Sequence, residues 1–184
     1  MRKDICEVTD ASGSPEDQSN GKRSQKVFLP NALGTRQLGL KLASEWLLET
    51  KKSHHHPNAM DFSPVLLLQG DLGAGKTSLV QGIGEGLGIR EPITSPSFAL
   101  SHQYQGCLAG RNTALFHLDL YRLDSSQMAD ELFIQEDEQA NAIGALLAVE
   151  WPTRLSFLPT NSWQVKLDFY TLADQLGREA LINR

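Results

Sequence analysis

Val65-Leu66-Leu67-Leu68-Gln69-Gly70-Asp71-Leu72-Gly73-Ala74-Gly75-Lys76-Thr77 decides the fold. Its first part, opened by Pro64, is a continuous apolar run, the pattern of a strand buried on both faces of a parallel sheet. Its second part matches G-x-x-x-x-G-K-[ST] and leads into a helical pattern with Leu79, Val80, Ile83 and Leu87 on one side. That strand, loop and helix context separates a phosphate-binding loop from an accidental glycine turn. Glycines let such a loop curl so that successive backbone N–H groups face one anion, and the helix N-terminus adds positive potential. Lys76 then reaches the β- and γ-phosphates, and the Thr77 hydroxyl ligates Mg²⁺. The stretch implies a nucleoside triphosphate cradled by Gly70, Asp71, Leu72, Gly73, Ala74, Gly75, Lys76 and Thr77.

The helix after the loop carries Gly82, Gly84 and Gly86, each costing about 1 kcal/mol relative to Ala, so packing must hold it. Upstream, Lys26–Leu29 reads as a short strand and Thr35 as an N-cap. Leu38, Leu42 and Trp46 give a helix an apolar face to about Lys51. Lys52–Asn58, with three His and a Pro, ends it. Downstream, Phe98–Tyr104 and Thr113–Leu118 read as a hairpin across the loop Gln105–Asn112. Asp124 and Gln127 start a short helix through about Phe133. Ala145–Val149 is a second continuous apolar strand. Trp163–Phe169 alternates as a half-exposed strand with which Glu179–Ile182 pairs. The expected fold is α/β, a P-loop NTPase-like three-layer domain with a mixed, mainly parallel sheet, over residues 26–184. Residues 1–25, rich in Ser, Asp, Lys, Gly and Asn, read as a disordered tail.

The chain has 184 residues, 40% of them apolar and 21% charged, the stock of one globular domain. Lys and Arg number 17 against 22 Asp and Glu, a net charge of −5, which argues against strong direct nucleic-acid binding. Two cysteines, Cys6 and Cys107, make neither a disulfide framework nor a metal-ligand spacing. No apolar run approaches the ~18 residues of a membrane span, and no apolar signal region opens the chain. A cytoplasmic protein with no membrane association is expected.

A phosphate loop needs an acid at the end of a neighbouring strand to hold Mg²⁺ or its water. Asp119 ends Leu115-Phe116-His117-Leu118, and Glu150 ends Ala145–Val149; either could serve. Strand alternation puts His117, Asp119 and Tyr121 on one side. A carboxylate with a His two residues away suits the positioning of an attacking water. Thr94-Ser95-Pro96-Ser97-Phe98 lies where such proteins often sense the γ-phosphate. His54-His55-His56 is a weak metal candidate, because adjacent histidines in a loop rarely converge.

Gly70–Thr77, Ser95-Pro96-Ser97-Phe98, His117-x-Asp119-x-Tyr121-Arg122 and Val149-Glu150-Trp151-Pro152 fall in the order and spacing of the TsaE family, the YjeE-type ATPases. Gly177-Arg178-Glu179 resembles that family's C-terminal strand signature. The resemblance covers about Lys26 to Arg184. It implies a Mg²⁺-dependent ATPase, slow without partners, that works with the TsaD and TsaB proteins in forming threonylcarbamoyladenosine in tRNA. By resemblance, Lys76 and Thr77 bind ATP and Mg²⁺, Glu150 belongs to the magnesium site, and Asp119 is needed for turnover. Ser97 stands where the family usually has Thr, and Arg178 resembles the position near the base or ribose. Thr153 departs from the family's usual acid after Trp-Pro.

Two other readings fit the loop. A small-metabolite kinase needs an Arg-bearing lid, but no basic residue lies between Arg122 and Arg154. That stretch carries Asp130, Glu131, Glu136, Asp137 and Glu138, which would repel ATP and would suit a basic partner surface. The other alternative is a nucleotide-gated binding module without significant hydrolysis, in which ATP occupancy controls partner contact. A GTPase is disfavoured, because no Asn-Lys-x-Asp signature occurs.

Overall fold

The computed structural model describes residues 24–53, 65–172 and 175–184. The expectations for the tail to residue 23, for the histidine cluster and for the end of the first helix's linker lie outside these residues. Among the described residues one seven-stranded sheet runs β1-β7-β6-β2-β5-β4-β3. Its strands are β1 (Ser24–Leu29), β2 (Val65–Gln69), β3 (Ser101–Leu108), β4 (Arg111–Asp119), β5 (Leu146–Glu150), β6 (Ser162–Leu172) and β7 (Gln175–Asn183). The central four, β6-β2-β5-β4, are parallel, and the pairings at both edges are antiparallel. The sheet is therefore mixed as expected, with the parallel part confined to the centre rather than predominating.

Helices α1 (Ala32–Ser53) and α2 (Lys76–Gly86) cover one face and α3 (Ser126–Ile143) the other. Period-two alternation sorts the strand residues between the faces. Leu66, Leu68, Leu115, Ala148 and Val165 join Leu38, Leu42, Trp46, Leu79 and Ile83 in one core. Val65, Leu67, Phe116, Leu118 and Val149 join Ala129, Phe133 and Ala140 in the second. Three layers result, with the strand expectations for β2, β5, β6 and β7 realised within a few residues.

Two of the three glycines of α2, Gly82 and Gly86, are explained by α1. A Cβ on Gly82 would lie 1.9 Å from the Arg36 carbonyl oxygen, so the two helix backbones touch there. Close approach offsets the poor propensity of the segment.

Four local expectations are corrected. Thr35 is not the N-cap of α1. It lies inside the helix, with its hydroxyl on the Asn31 carbonyl (3.3 Å), while Asn31 Oδ1 accepts the Gly34 N–H at 3.0 Å. The β3–β4 hairpin has a two-residue turn, Ala109-Gly110, with φ of 51° and 77°, so residues 105–108 and 111–112 are strand, not loop. Segment 98–100 stays outside β3. Helix α3 extends ten residues past Phe133, and its N-cap is Ser125, whose hydroxyl accepts the Met128 N–H. Finally, the acids of 130–138 do not form one free face. Asp130 accepts from the Ser156 N–H (2.9 Å) and hydroxyl, and Glu136 is buried.

Candidate active site

Strand β2 delivers the loop to the N-terminus of α2 at the middle of the sheet. Gly75 stands at the helix cap with φ 107°, a conformation that costs a side chain dearly, and no side chain caps the helix. The first-turn amides therefore have no intrahelical acceptor and face outward, as an anion site requires. They border a cleft of about 300 Å³ lined by Gly73, Lys76, Thr77, Asp119, Glu150 and Trp151 among others.

Lys76 is buried and folded onto its own loop, Nζ donating to the carbonyls of Gly70 (2.8 Å) and Asp71 (3.0 Å). Its ammonium also sits 4.2 Å from the centre of the Trp151 ring, a cation–π contact. Burial pushes the Lys76 pKa below its ordinary value, while the charges of Glu150, Asp119 and Asp71 pull it back up. Trp151 reaches that ring position through a left-handed backbone, φ 60°, immediately after β5. Such a conformation costs a non-glycine residue of order 1–3 kcal/mol and tends to persist at functional sites.

The two candidate acids end adjacent parallel strands, Asp119 in register with Glu150. Their surroundings differ. Glu150 Oε1 accepts the Thr77 hydroxyl at 2.9 Å and lies 3.0 Å from His117 Nε2. Asp119 Oδ2 accepts from the hydroxyls of Ser95 (2.9 Å) and Ser97, and Oδ1 accepts the Tyr121 N–H at 3.1 Å. Both carboxylates are buried, at 3% and 2% exposure, so these donors replace water that burial removed. Thr77 and Glu150 thus form one side of the cleft, and Asp119 with segment 95–97 forms the other.

The structure brings together the loop residues, Ser97, Asp119 and Glu150. Arg178, which by resemblance stands near the base or ribose, reaches the phosphate loop itself. From β7 it donates Nη2 to the Gly73 carbonyl (3.2 Å), bracing the loop backbone, with its guanidinium 5.6 Å from the Phe169 ring centre. Arg122 does not pair with Asp119; it stacks at 4.2 Å on the exposed Phe98 ring. Tyr121 lies beyond the end of β4 and packs on Trp151, ring centres 4.8 Å apart. Ser95, Tyr121 and Trp151, which stand inside the sequence motifs without a role assigned there, also line the cleft, and that membership was their signal in the sequence. Among the described residues no three His, Cys, Asp or Glu side chains converge as a metal cluster. No helix among them is long and apolar enough to cross a membrane.

Sheet, loop and paired acids define an α/β domain of the P-loop NTPase-like class. The family model described as threonylcarbamoyl adenosine biosynthesis protein TsaE matches residues 30–179. The chain belongs to the TsaE family. It is 36% identical to the Nostoc sp. protein named tRNA threonylcarbamoyladenosine biosynthesis protein TsaE, over 90% of each chain. A Synechocystis sp. protein of the same name is 41% identical over 76% of this chain and 77% of its own length. The crystal structure of Bacillus subtilis YdiB superposes with a TM-score of 0.57 at 24% identity, covering 90% of this chain and 88% of that one, which supports the fold.

Proposed function

We propose that this protein binds ATP with Mg²⁺ and hydrolyses it in the formation of the threonylcarbamoyladenosine modification of tRNA, working in the cytoplasm with TsaD and TsaB. Family membership supports the pathway. The observation that carries the chemistry is the Thr77 hydroxyl on Glu150, beside the uncapped start of α2 and the buried Lys76.

The donor set fits a hard divalent cation: a hydroxyl and a carboxylate, both oxygen, at one side of a cleft whose buried cation is Lys76. Thr77 would hold Mg²⁺ directly, keeping its proton on Glu150, with the Glu150 carboxylate facing the metal shell. When bound, Mg²⁺ neutralises charge on the phosphate oxygens. The loop amides hold the phosphates in place. Lys76 exchanges two carbonyl contacts for phosphate oxygens, and its positive charge is sustained there by Glu150, Asp119 and Asp71. Asp119 Oδ2 is saturated by Ser95 and Ser97, whereas Oδ1 carries one hydrogen bond and keeps a lone pair. That lone pair orients a water for attack on the γ-phosphorus. Ser95 and Ser97 act through Asp119 by holding it in place.

A kinase is less well supported. The stretch that would form its lid is α3, which packs Ala129, Phe133 and Ala140 into the second core. Phosphate release and ADP formation by the chain alone, with TsaD–TsaB, and with small acceptors separate the readings. Slow release that TsaD–TsaB accelerates supports the proposal, consistent with the absence of an arginine directed at the cleft from the Arg122 position. Fast release alone, unchanged by TsaD–TsaB, refutes the partnered ATPase. ADP formation only with an acceptor, with the phosphoryl group recovered on that acceptor and not as free phosphate, indicates a kinase.

A further inference from the structure

His117 takes no part in the chemistry above, yet it is fully buried beside the cleft, at 0% exposure. It stands on β4 two residues before Asp119, in register with Ala148 of β5. Nε2 lies 3.0 Å from Glu150 Oε1, the same oxygen that accepts the Thr77 hydroxyl at 2.9 Å. Among the described residues His117 Nδ1 has no hydrogen-bond partner. One nitrogen meets an acceptor and the other meets none, so the arrangement is satisfied when the ring proton sits on Nε2 and is donated to Glu150.

We propose that His117 is a positioning residue for the metal-side carboxylate. Its Nε2–H and the Thr77 hydroxyl hold Glu150 Oε1 from two directions, which fixes the carboxylate plane and leaves Oε2 for the metal shell. The inference rests on the proposed ATP and Mg²⁺ reading and deepens it. A glutamate side chain has several rotamers, so ordering it for a metal costs conformational entropy. In this cleft the strand-anchored imidazole meets that cost before any cation arrives. Partners of this kind, one step behind a ligand, typically change metal affinity 10–100-fold. A histidine serving only to fill the core would change stability and leave metal affinity untouched.

Two measurements test this. The first is the long-range ¹H–¹⁵N imidazole spectrum of the wild-type chain, in which His117 should show a protonated Nε2 and a bare Nδ1. A proton on Nδ1 instead overturns the proposal. The second is Mn²⁺ binding in the presence of ATP, read by electron paramagnetic resonance, for wild type, His117→Phe and His117→Gln. His117→Phe should weaken Mn²⁺ by about tenfold or more while ATP affinity in EDTA is unchanged. His117→Gln, whose amide N–H reaches about where Nε2 stood, should recover most of that loss. Wild-type Mn²⁺ affinity in a folded His117→Phe, or a Gln variant no better than Phe, overturns the proposal. Should the Phe variant not fold, the tautomer and the Gln variant still decide. Absence of Mn²⁺ binding by the wild-type chain with ATP overturns the metal reading itself, and is distinguishable from failure of His117 alone.

Discussion

Asp119→Asn tests the division of labour between the two acids. The Tyr121 N–H needs an acceptor at Oδ1, so the new amide places its oxygen there and its NH₂ where Oδ2 faced Ser95 and Ser97. The hydroxyls can rotate to accept, and they remain 2.8 Å from each other. Two hydrogen bonds to a charged group thus become neutral ones. At about 1.5–3 kcal/mol for the former and ~1 for the latter, the loss sums to roughly 1–4 kcal/mol. For a chain of this size that is a fall in Tm of about 5–10 °C at the middle of the range. Turnover should fall much further, by roughly 10²-fold or more, because the water loses a charged acceptor. ATP affinity should change little, since the hydrogen bonds of Asp119 go to Ser95, Ser97 and Tyr121 and it acts on the phosphate loop only through the charge it shows to Lys76. Single-turnover hydrolysis with TsaD–TsaB, calorimetric ATP binding and thermal melting report the three quantities. Turnover near wild type with the expected Tm drop would reduce Asp119 to an anchor for segment 95–97. A collapse of ATP affinity with turnover preserved would refute the assignment outright.

Glu150→Gln should raise the Mg²⁺ concentration for half-maximal turnover by about tenfold or more while leaving ATP affinity in EDTA intact; an unchanged Mg²⁺ dependence removes Glu150 from the metal side. Lys76→Met should abolish turnover and weaken triphosphate binding without unfolding the chain. Because burial lowers the folded-state pKa of Lys76 below 10.5, the unfolded chain binds more protons between the two values. The stability of wild type relative to Lys76→Met should therefore rise as pH climbs through that window, checked by urea melts at several pH values; a gap that stays flat or shrinks contradicts the burial cause. Gly82→Ala should destabilise by about 2 kcal/mol or more, since its Cβ would strike the Arg36 backbone at 1.9 Å. Gly84→Ala meets only the flexible end of Ile93 and should be near neutral, as helix propensity repays the adjustment. Equal effects in chemical denaturation would disprove the close approach of α1 and α2.

The phosphate loop was legible from the sequence alone because its physics is contiguous. A buried apolar strand, glycines that permit the turn, and a lysine and hydroxyl at the start of a helix all lie within Val65–Thr77. The core positions Leu38, Leu42, Trp46, Leu79 and Ile83 were legible for the same reason, since helical periodicity writes burial into local spacing. Element boundaries were less so. The Ala109-Gly110 turn was hidden by Gly106, which is strand, and the true cap of α1 was an asparagine four residues before the expected threonine. Only the tertiary structure decided which acid meets which partner. Thr77 and Glu150 are 73 residues apart, His117 and Glu150 33, and Ser95 and Asp119 24. Those pairs exist because the sheet order sets β2 beside β5 and β5 beside β4, so that three strand ends open on one cleft. Strand order depends on how crossovers pack against both faces of the sheet, a property of the whole chain that no local pattern of residues encodes.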